Sequence, residues 1–581
     1  MPIVVTPSDR TLTGRTAHDG PAGTVATAHR PALMGTRHMV AAGHYLAAQA
    51  GLQVLEAGGN AVDAGVAAGI ALGVLQSDIV NVAGVAPILL RMAGDGVVLE
   101  VSGLGHWPRA LPPRFFMERH GGTIPHGVLR TVVPAAPGTW IAVLERFGTL
   151  SFGDVAQFAI RFARDGFPMH AVMARVVEEY AESYRRWPSS AAIYLPGGRP
   201  PVVGVPFVQA DLGRTLQYMV DQERAASGRG RAAGLKAARD AFYSGDIAHA
   251  ILDFHRREGG LLAASDLAAY QPEISPARKV RFADLDVYFC GPWCQGPALG
   301  QALNMIDPAE IRSVGHNSVD YVHTLVEVLK LAFDDRERWY GDPRFVDVPL
   351  DRLLSADHAR AQRALIDPTR ARANLAAPGA AAATAGSLDT SYVCVVDRWG
   401  NAFSATPSDT SSDTPVVPGT GLCPSSRGSQ GWADPAHASA AVAGKRPRLT
   451  PSPAMAVSPG HMVMPFGTPG GDVQLQAMLH VLLGVRVFGM DPQAAIEQPR
   501  FATYSFPDSF EPHKPQPGRL NLESRFSRAT GEALAARGHD VQWWEDWTWR
   551  AGGVCAVVHD LASGVMTAGA DPRRASYAAG W

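Results

Sequence analysis

Neither cysteine nor charge of one sign is abundant enough in this chain to organise it. Only five cysteines, Cys290, Cys294, Cys394, Cys423 and Cys555, occur in 581 residues. They show no repeated metal-ligand spacing, and an odd number fits poorly with a fully paired disulfide framework, so reduced thiols and no metal are expected. Basic and acidic side chains nearly cancel, with 52 Lys and Arg against 54 Asp and Glu. That balance lacks the footprint of a nucleic-acid binder, and the scattered arginines read as solvated surface. The amino-terminal stretch MPIVVTPSDRTLTGR lacks a basic start followed by a long apolar run. Export by the general route is therefore not expected, and a cytoplasmic location is. The longest approach to a membrane segment, Val62 to Val80, is interrupted by Asp63 and Gly65 and carries Gln76 and Asp78 near its end. It reads as close-packed protein interior, so no membrane partner is expected.

What is present is a succession of helical and strand patterns. Length alone predicts two or more domains. Spaced apolar residues predict a helix from Arg37 to Glu56, ending near Gly58-Gly59, and Asn60 opens a second, alanine-rich one that should be buried. Apolar runs on either side of Gly94-Asp95-Gly96 predict a hairpin over Ala86 to Val101. Further helices are expected at Thr139 to Arg146, Phe152 to Asp165, Met173 to Tyr184, Asp211 to Glu223, Ala233 to Phe242 and His316 to Phe333. Strands at Met455 to Ser458, Met462 to Phe466, Val554 to His559 and Gly564 to Ala568 make the last part sheet-rich.

The clearest break lies between Ala371 and Leu388, where half the residues are alanine and Pro378, Gly379 and Gly386 interrupt any helix. It reads as an exposed linker leading into a strand. Immediately after it, Asp389-Thr390-Ser391-Tyr392-Val393-Cys394-Val395-Val396-Asp397 starts a strand that turns at Arg398-Trp399-Gly400-Asn401 and returns over Ala402 to Thr406. A threonine at such a junction is ordinary as a β-branched strand residue. It becomes chemical if the bond before it breaks, because Thr390 then carries its hydroxyl and a free α-amine, nucleophile and base in one residue. The amine, with a reference pKa of roughly 7.7 to 8, accepts the hydroxyl proton near neutrality.

Three other segments carry candidate chemistry. Gly467-Thr468-Pro469-Gly470-Gly471-Asp472 lies between a strand and a helix expected from Val473 to Leu483. Its glycines permit a turn with converging N–H groups, as an oxyanion hole requires, although a plain strand-to-helix turn also fits. It has no Gly-Lys-Ser/Thr ending, which sets aside a phosphate loop. Arg427, among small residues that predict a loop, is either an ordinary exposed arginine or a bidentate clamp for a carboxylate. Lys445 to Pro453 reads as a proline-stiffened, solvated segment whose Thr450 and Ser452 can present hydroxyls.

These residues resemble the γ-glutamyltranspeptidase family of the N-terminal nucleophile hydrolases. The likeness continues through Gly58-Gly59-Asn60-Ala61-Val62-Asp63-Ala64, Phe242-Tyr243-Ser244-Gly245, Asp266-Leu267-Ala268-Ala269-Tyr270, Gly341-Asp342-Pro343 and Gly569-Ala570-Asp571-Pro572-Arg573-Arg574. The resemblance implies an α+β fold, a four-layer α/β/β/α sandwich formed jointly by a large chain, 1–389, and a small chain, 390–581. It implies cleavage between Asp389 and Thr390, Thr390 as nucleophile, Gly470 and Gly471 as oxyanion hole, and Ser408 in place of a threonine that supports the nucleophile hydroxyl. The glutamate-reading positions depart. The family's arginine falls near Leu104, its serine pair on Leu449-Thr450, and its asparagine and acidic positions near Thr410 and Ser429-Gln430.

The resemblance therefore implies a self-processing amidohydrolase without a cofactor, acting on a small amide that is not glutathione. Arg427, in competition with Arg109 or Arg446, supplies a relocated carboxylate contact, while His106, Trp107 and Trp432 also allow an apolar acyl group. Acyl transfer, γ-glutamyl or other, and an uncleaved binding homologue stay open as alternatives. Pairing of processed units into a homodimer is likewise left open.

Overall fold

The computed structural model describes residues 28–372 and 389–581. The polar amino-terminal lead and nearly all of the alanine-rich linker lie outside the described residues. Two seven-stranded sheets form the centre. One runs, in spatial order, Leu33–Gly35, Met566–Ala570, Cys555–Asp560, Met462–Gly467, Ala454–Ser458, Leu285–Phe289 and Arg278–Phe282. The other runs Tyr577–Gly580, Met39–Ala42, Val393–Val396, Ala402–Ala405, Ile88–Arg91, Val98–Val101 and Ile274–Pro276. Neighbouring strands are antiparallel in both. Each sheet takes strands from both sides of residue 390, so the two halves of the chain share one architecture instead of forming separate domains.

The alternation of side chains along the strands builds three apolar layers. Val393 and Val395 pack under the helices Tyr45–Glu56 and Ala61–Leu75, whereas Cys394 and Val396 face the opposite sheet. There they meet Met455, Val457, Val463 and Val557. From that second sheet Ala454, Ala456, Met464 and Phe466 point outward to Gly296–Met305, Val319–Trp339 and Gln474–Arg486. The outcome is helix, sheet, sheet, helix: the expected four-layer sandwich. Among the described residues no helix is long and apolar enough to cross a membrane.

Most expected elements appear with small shifts in their ends, including the hairpin around Gly94-Asp95-Gly96, whose strands Ile88–Arg91 and Val98–Val101 pair antiparallel. The segment from Arg37 to Glu56 does not form one helix. Met39–Ala42 is a strand between Tyr577–Gly580 and Val393–Val396, and the helix starts only at Tyr45. A short run buried on both faces has no strand signature of its own, so helical spacing downstream absorbed it.

The second helix begins where Asn60 caps it. Asn60 Oδ1 accepts the N–H groups of Val62 and Asp63, and Asp63 Oδ2 accepts the N–H of Asn60 at 2.9 Å. Every residue of Ala61–Leu75 is buried, which explains its lack of a polar face. Its glycines allow close approach to the sheet: a Cβ at Gly65 would overlap the ring of Phe403, itself fully buried on the strand Ala402–Ala405. Gly65→Ala adds roughly 1 kcal/mol of helix propensity but forces this overlap. A net loss of about 1–2 kcal/mol is expected, read as a lowered midpoint in chemical denaturation.

Candidate active site

Thr390 sits three residues before the first strand residue, Val393, and is fully buried. Its φ of 88° lies in the left-handed region, which a β-branched side chain adopts only under constraint from its surroundings. The constraint is visible: its N–H donates to Ile79 O at 3.0 Å, and the neighbouring Ser391 N–H donates to Pro407 O at 3.0 Å. The peptide link between Asp389 and Thr390 is thus held at a strained residue inside the protein.

The Thr390 hydroxyl has three polar neighbours. Oγ1 lies 2.8 Å from Asp389 Oδ1, 2.6 Å from Ser408 Oγ and 3.3 Å from Gln474 Nε2, which donates to it. Ser408 follows the strand Ala402–Ala405, the hairpin partner of Val393–Val396, so the sheet register brings it alongside Thr390. On the carbonyl side, Asp389 O accepts the N–H of Gly470 at 3.2 Å. Gly470 and Gly471 have φ of 128° and 56°, a turn that non-glycine residues rarely make. The turn is braced from below: Gln295 Nε2 donates to Gly471 O at 3.0 Å, Arg336 donates to Gln295 Oε1 at 3.1 Å, and the same guanidinium pairs with Asp472.

Arg427 is not an exposed loop arginine. It lies in the short helical turn Arg427–Gln430, is fully buried, and pairs with Asp389 Oδ2 while donating to Ser408 Oγ at 2.5 Å. Its Nε is 3.7 Å from Asp409 Oδ2. Burial pushes the carboxyls of Asp389 and Asp409 above the ordinary aspartate range, and Arg427 opposes that rise in both. Asp409 is further held by Ser425 Oγ at 2.5 Å and by Ser426 N–H and Oγ at 2.9 and 2.6 Å.

The remaining expected site residues reach the cluster only through its supports, Gln295 Nε2 donating to Thr450 O at 2.8 Å and Ser426 Oγ to Thr410 O at 3.4 Å. Gln430 and Thr450 bond to each other, side chain to side chain at 2.8 Å and Thr450 N–H to Gln430 Oε1 at 3.2 Å. Leu104 and Leu449 are buried in the apolar layer between the sheets. Thr410 Oγ1 is 2.8 Å from Ser412 Oγ. The basic run 445–448 is not solvated: Arg446 pairs with Glu273 and Asp342, and Arg448 with Glu337, all three basic side chains being buried. Arg109, half exposed, pairs with Asp266. Trp107 is buried among Leu111, Phe116, Ile124 and Val132, and Trp432 is stacked between His437 and His513 with both ring separations at 4.0 Å.

Sequence reasoning missed three members of the cluster: the Asp389 side chain, Asp409 and Gln474. A signal existed for the first, a carboxylate immediately before the candidate nucleophile. Gln474 is one residue past the glycine-led turn, at the first position of the following helix, and nothing in its local sequence marks it.

The four-layer αββα sandwich is the architecture of the N-terminal nucleophile hydrolases. Comparison with known proteins agrees. The gamma-glutamyltranspeptidase family profile matches residues 47–581. The chain is 31% identical over 528 residues to the acylase ACY 1 proenzyme of a Pseudomonas species, covering 89% of each. It is 31% identical over 553 residues to the glutathione hydrolase-like YwrD proenzyme of Bacillus subtilis, covering 94% of this chain and 99% of that one. The crystal structure of cephalosporin acylase from Bacillus halodurans superposes with a TM-score of 0.82 at 28% identity, over 97% of this chain and 99% of that one. The chain belongs to the γ-glutamyltranspeptidase family, as a divergent member, and is an enzyme of the hydrolase type.

Removing Arg427 takes from the buried carboxylates of Asp389 and Asp409 the cation they share. In a Thr390→Ala background, Arg427→Ala is expected to cost about 3–5 kcal/mol at pH 8. The loss shrinks toward pH 5, because carboxyls raised by burial take up protons there and shed the uncompensated charge. Urea unfolding at the two pH values reads the difference.

Proposed function

We propose that this chain is a self-processing amidohydrolase whose nucleophile is Thr390, acting on a small amide that carries a carboxylate. The observation that carries the reading is the double engagement of the Asp389–Thr390 link. The carboxylate of Asp389 is placed to accept the Thr390 hydroxyl proton, and the Gly470 N–H is bonded to the Asp389 carbonyl oxygen. Before cleavage Thr390 has no free amine, so another base is needed. The Asp389 carboxylate, 2.8 Å from Oγ1 and made more basic by burial, meets that need.

In maturation Thr390 Oγ bonds to the Asp389 carbonyl carbon, and Gly470 stabilises the oxygen as charge develops on it. The carbon–nitrogen bond then breaks, the proton taken from the hydroxyl passes to the amine, and an ester links Asp389 to Thr390. Water cleaves the ester, releasing a large chain ending at Asp389 and a small chain beginning with Thr390. The new α-amine then serves as base toward substrate. Oγ attacks the amide carbon, Gly470 and Gly471 donate to the oxyanion, the protonated amine assists departure of the leaving amine, and water releases the acid.

Ser408, 2.6 Å from the nucleophile and itself bonded to Arg427, orients the hydroxyl in both stages. Recognition of a carboxylate is supported by Arg427, whose guanidinium is already paired with one beside the nucleophile. The family's glutamate-reading arginine falls near Leu104, which is buried among apolar side chains, and this disfavours a γ-glutamyl substrate.

Mass spectrometry of the freshly purified protein under denaturing conditions should give two chains split between Asp389 and Thr390. Thr390→Ala should leave one chain of 61.7 kDa with no amidase activity; a persistently whole wild-type chain, or activity without Thr390, sinks the reading. Asp389→Asn should slow splitting by about 10²- to 10⁴-fold. In the wild type the splitting rate should rise with pH and level off only above the ordinary aspartate range, because the base must be unprotonated and burial holds its pKa high.

A further inference from the structure

We infer that Asp389 fills the acyl-group site of its own enzyme before cleavage, and that maturation opens a site for monoamides of four-carbon dicarboxylic acids. This rests on the reading of Thr390 as nucleophile and specifies its substrate. The ester formed in maturation and the acyl-enzyme formed with substrate are the same chemical object: an acyl carbon on Thr390 Oγ with its oxygen directed to the Gly470 N–H. The group attached to that carbon in maturation is the Asp389 Cα, followed by Cβ and the carboxylate. That carboxylate is paired with Arg427, which also donates to Ser408 Oγ at 2.5 Å. The uncleaved chain therefore records the spacing between the oxyanion donor and the cationic end of the site: two carbons between the acyl carbon and the carboxylate carbon.

Charge and burial favour replacement of Asp389 by a substrate of the same shape. Arg427 and Asp389 are both fully buried. Arg427 Nε and Nη1 have no hydrogen-bond partner, so the guanidinium retains donors for a forked carboxylate contact. If Asp389 leaves after cleavage, its closest anion is Asp409, at 3.7 Å from Nε. A ligand carboxylate restores the lost pairing charge for charge, which an uncharged acyl group cannot do. In the reaction Thr390 Oγ displaces the amine from the amide carbon, and water then yields the four-carbon diacid.

The test uses the matured wild-type protein and a chain-length series: oxamate, malonamate, succinamate and glutaramate, with butyramide as the uncharged analogue, followed by ammonia release. Succinamate should give the highest kcat/KM, about tenfold or more above malonamate and glutaramate and at least about 100-fold above butyramide. Arg427→Lys, which keeps the charge and loses the planar fork, should narrow the succinamate-to-butyramide ratio at least about tenfold. Calorimetry supplies a readout that needs neither turnover nor that variant. Succinate should bind the split wild-type protein but not unsplit Thr390→Ala, where Asp389 still occupies the site. A chain that never splits overturns the Thr390 reading and this inference with it. A chain that splits and hydrolyses amides, yet favours butyramide, oxamate or glutaramate or binds succinate equally in both forms, overturns this inference alone.

Discussion

The buried ion pair between Arg427 and Asp389 is the contact on which the arrangement around Thr390 depends. Taking two charges out of water costs several kcal/mol per ion, and the attraction between them offsets this only when further hydrogen bonds satisfy both partners. Here the carboxylate also engages the Thr390 hydroxyl and the guanidinium also engages Ser408, while Arg427 Nε and Nη1 keep their hydrogen-bonding capacity unused. Removing either ion leaves a buried charge, so hydroxyl, carboxylate and guanidinium are held as one unit. The same unit keeps a β-branched residue at a φ of 88°, a conformation that a less constrained chain would relax.

The sandwich sets the geometry of that unit because its parts come from different sheets. Asp389 and Thr390 precede Val393–Val396 in one sheet, whereas Gly470 follows Met462–Gly467 in the other. Their hydrogen bond therefore spans the two, and its length is fixed by how the sheets pack across the layer of Met455, Val457, Cys394 and Val396. Close packing transmits small displacements, and the brace from Gln295 and Arg336 under Gly471 and Asp472 holds the glycine turn from the opposite side. Both chains of a split molecule would contribute to each sheet, which keeps Thr390, Ser408, Arg427 and the glycine turn together after cleavage.

Local chemistry made much of the site legible. The glycine pair at 470 and 471 was readable because only glycine turns so tightly between a strand and a helix, and Thr390 because a composition break meets an apolar strand pattern there. Ser408 depended on family resemblance, since no local pattern distinguishes it from the serines around it. The exposed reading of the arginines, one of two kept for Arg427, fails for a common reason. Arg427, Arg446 and Arg448 lie in small-residue or proline-rich stretches typical of exposed loops, yet each is buried against carboxylates from distant segments. Asp342 and Glu337 lie more than a hundred residues from Arg446 and Arg448, and burial of a charge by a remote partner leaves no trace in its own neighbourhood.

The sequence by itself determined the elements: period-two alternation in the strands, Asn60 at a helix start, glycines where the chain turns, and a hydroxyl residue after a break. These are properties of a few adjacent residues, and the backbone rules that read them are local. Only the tertiary structure decided which of those residues meet. It turned Met39–Ala42 into a strand paired on both sides, drew Gln474 and Asp409 to the cluster, kept Leu104 and Leu449 in the apolar layer, and set the Asp389 carboxylate between Thr390 and Arg427. Such meetings depend on packing and desolvation across the whole fold, where the cost of burying a charge is settled by its partners in space.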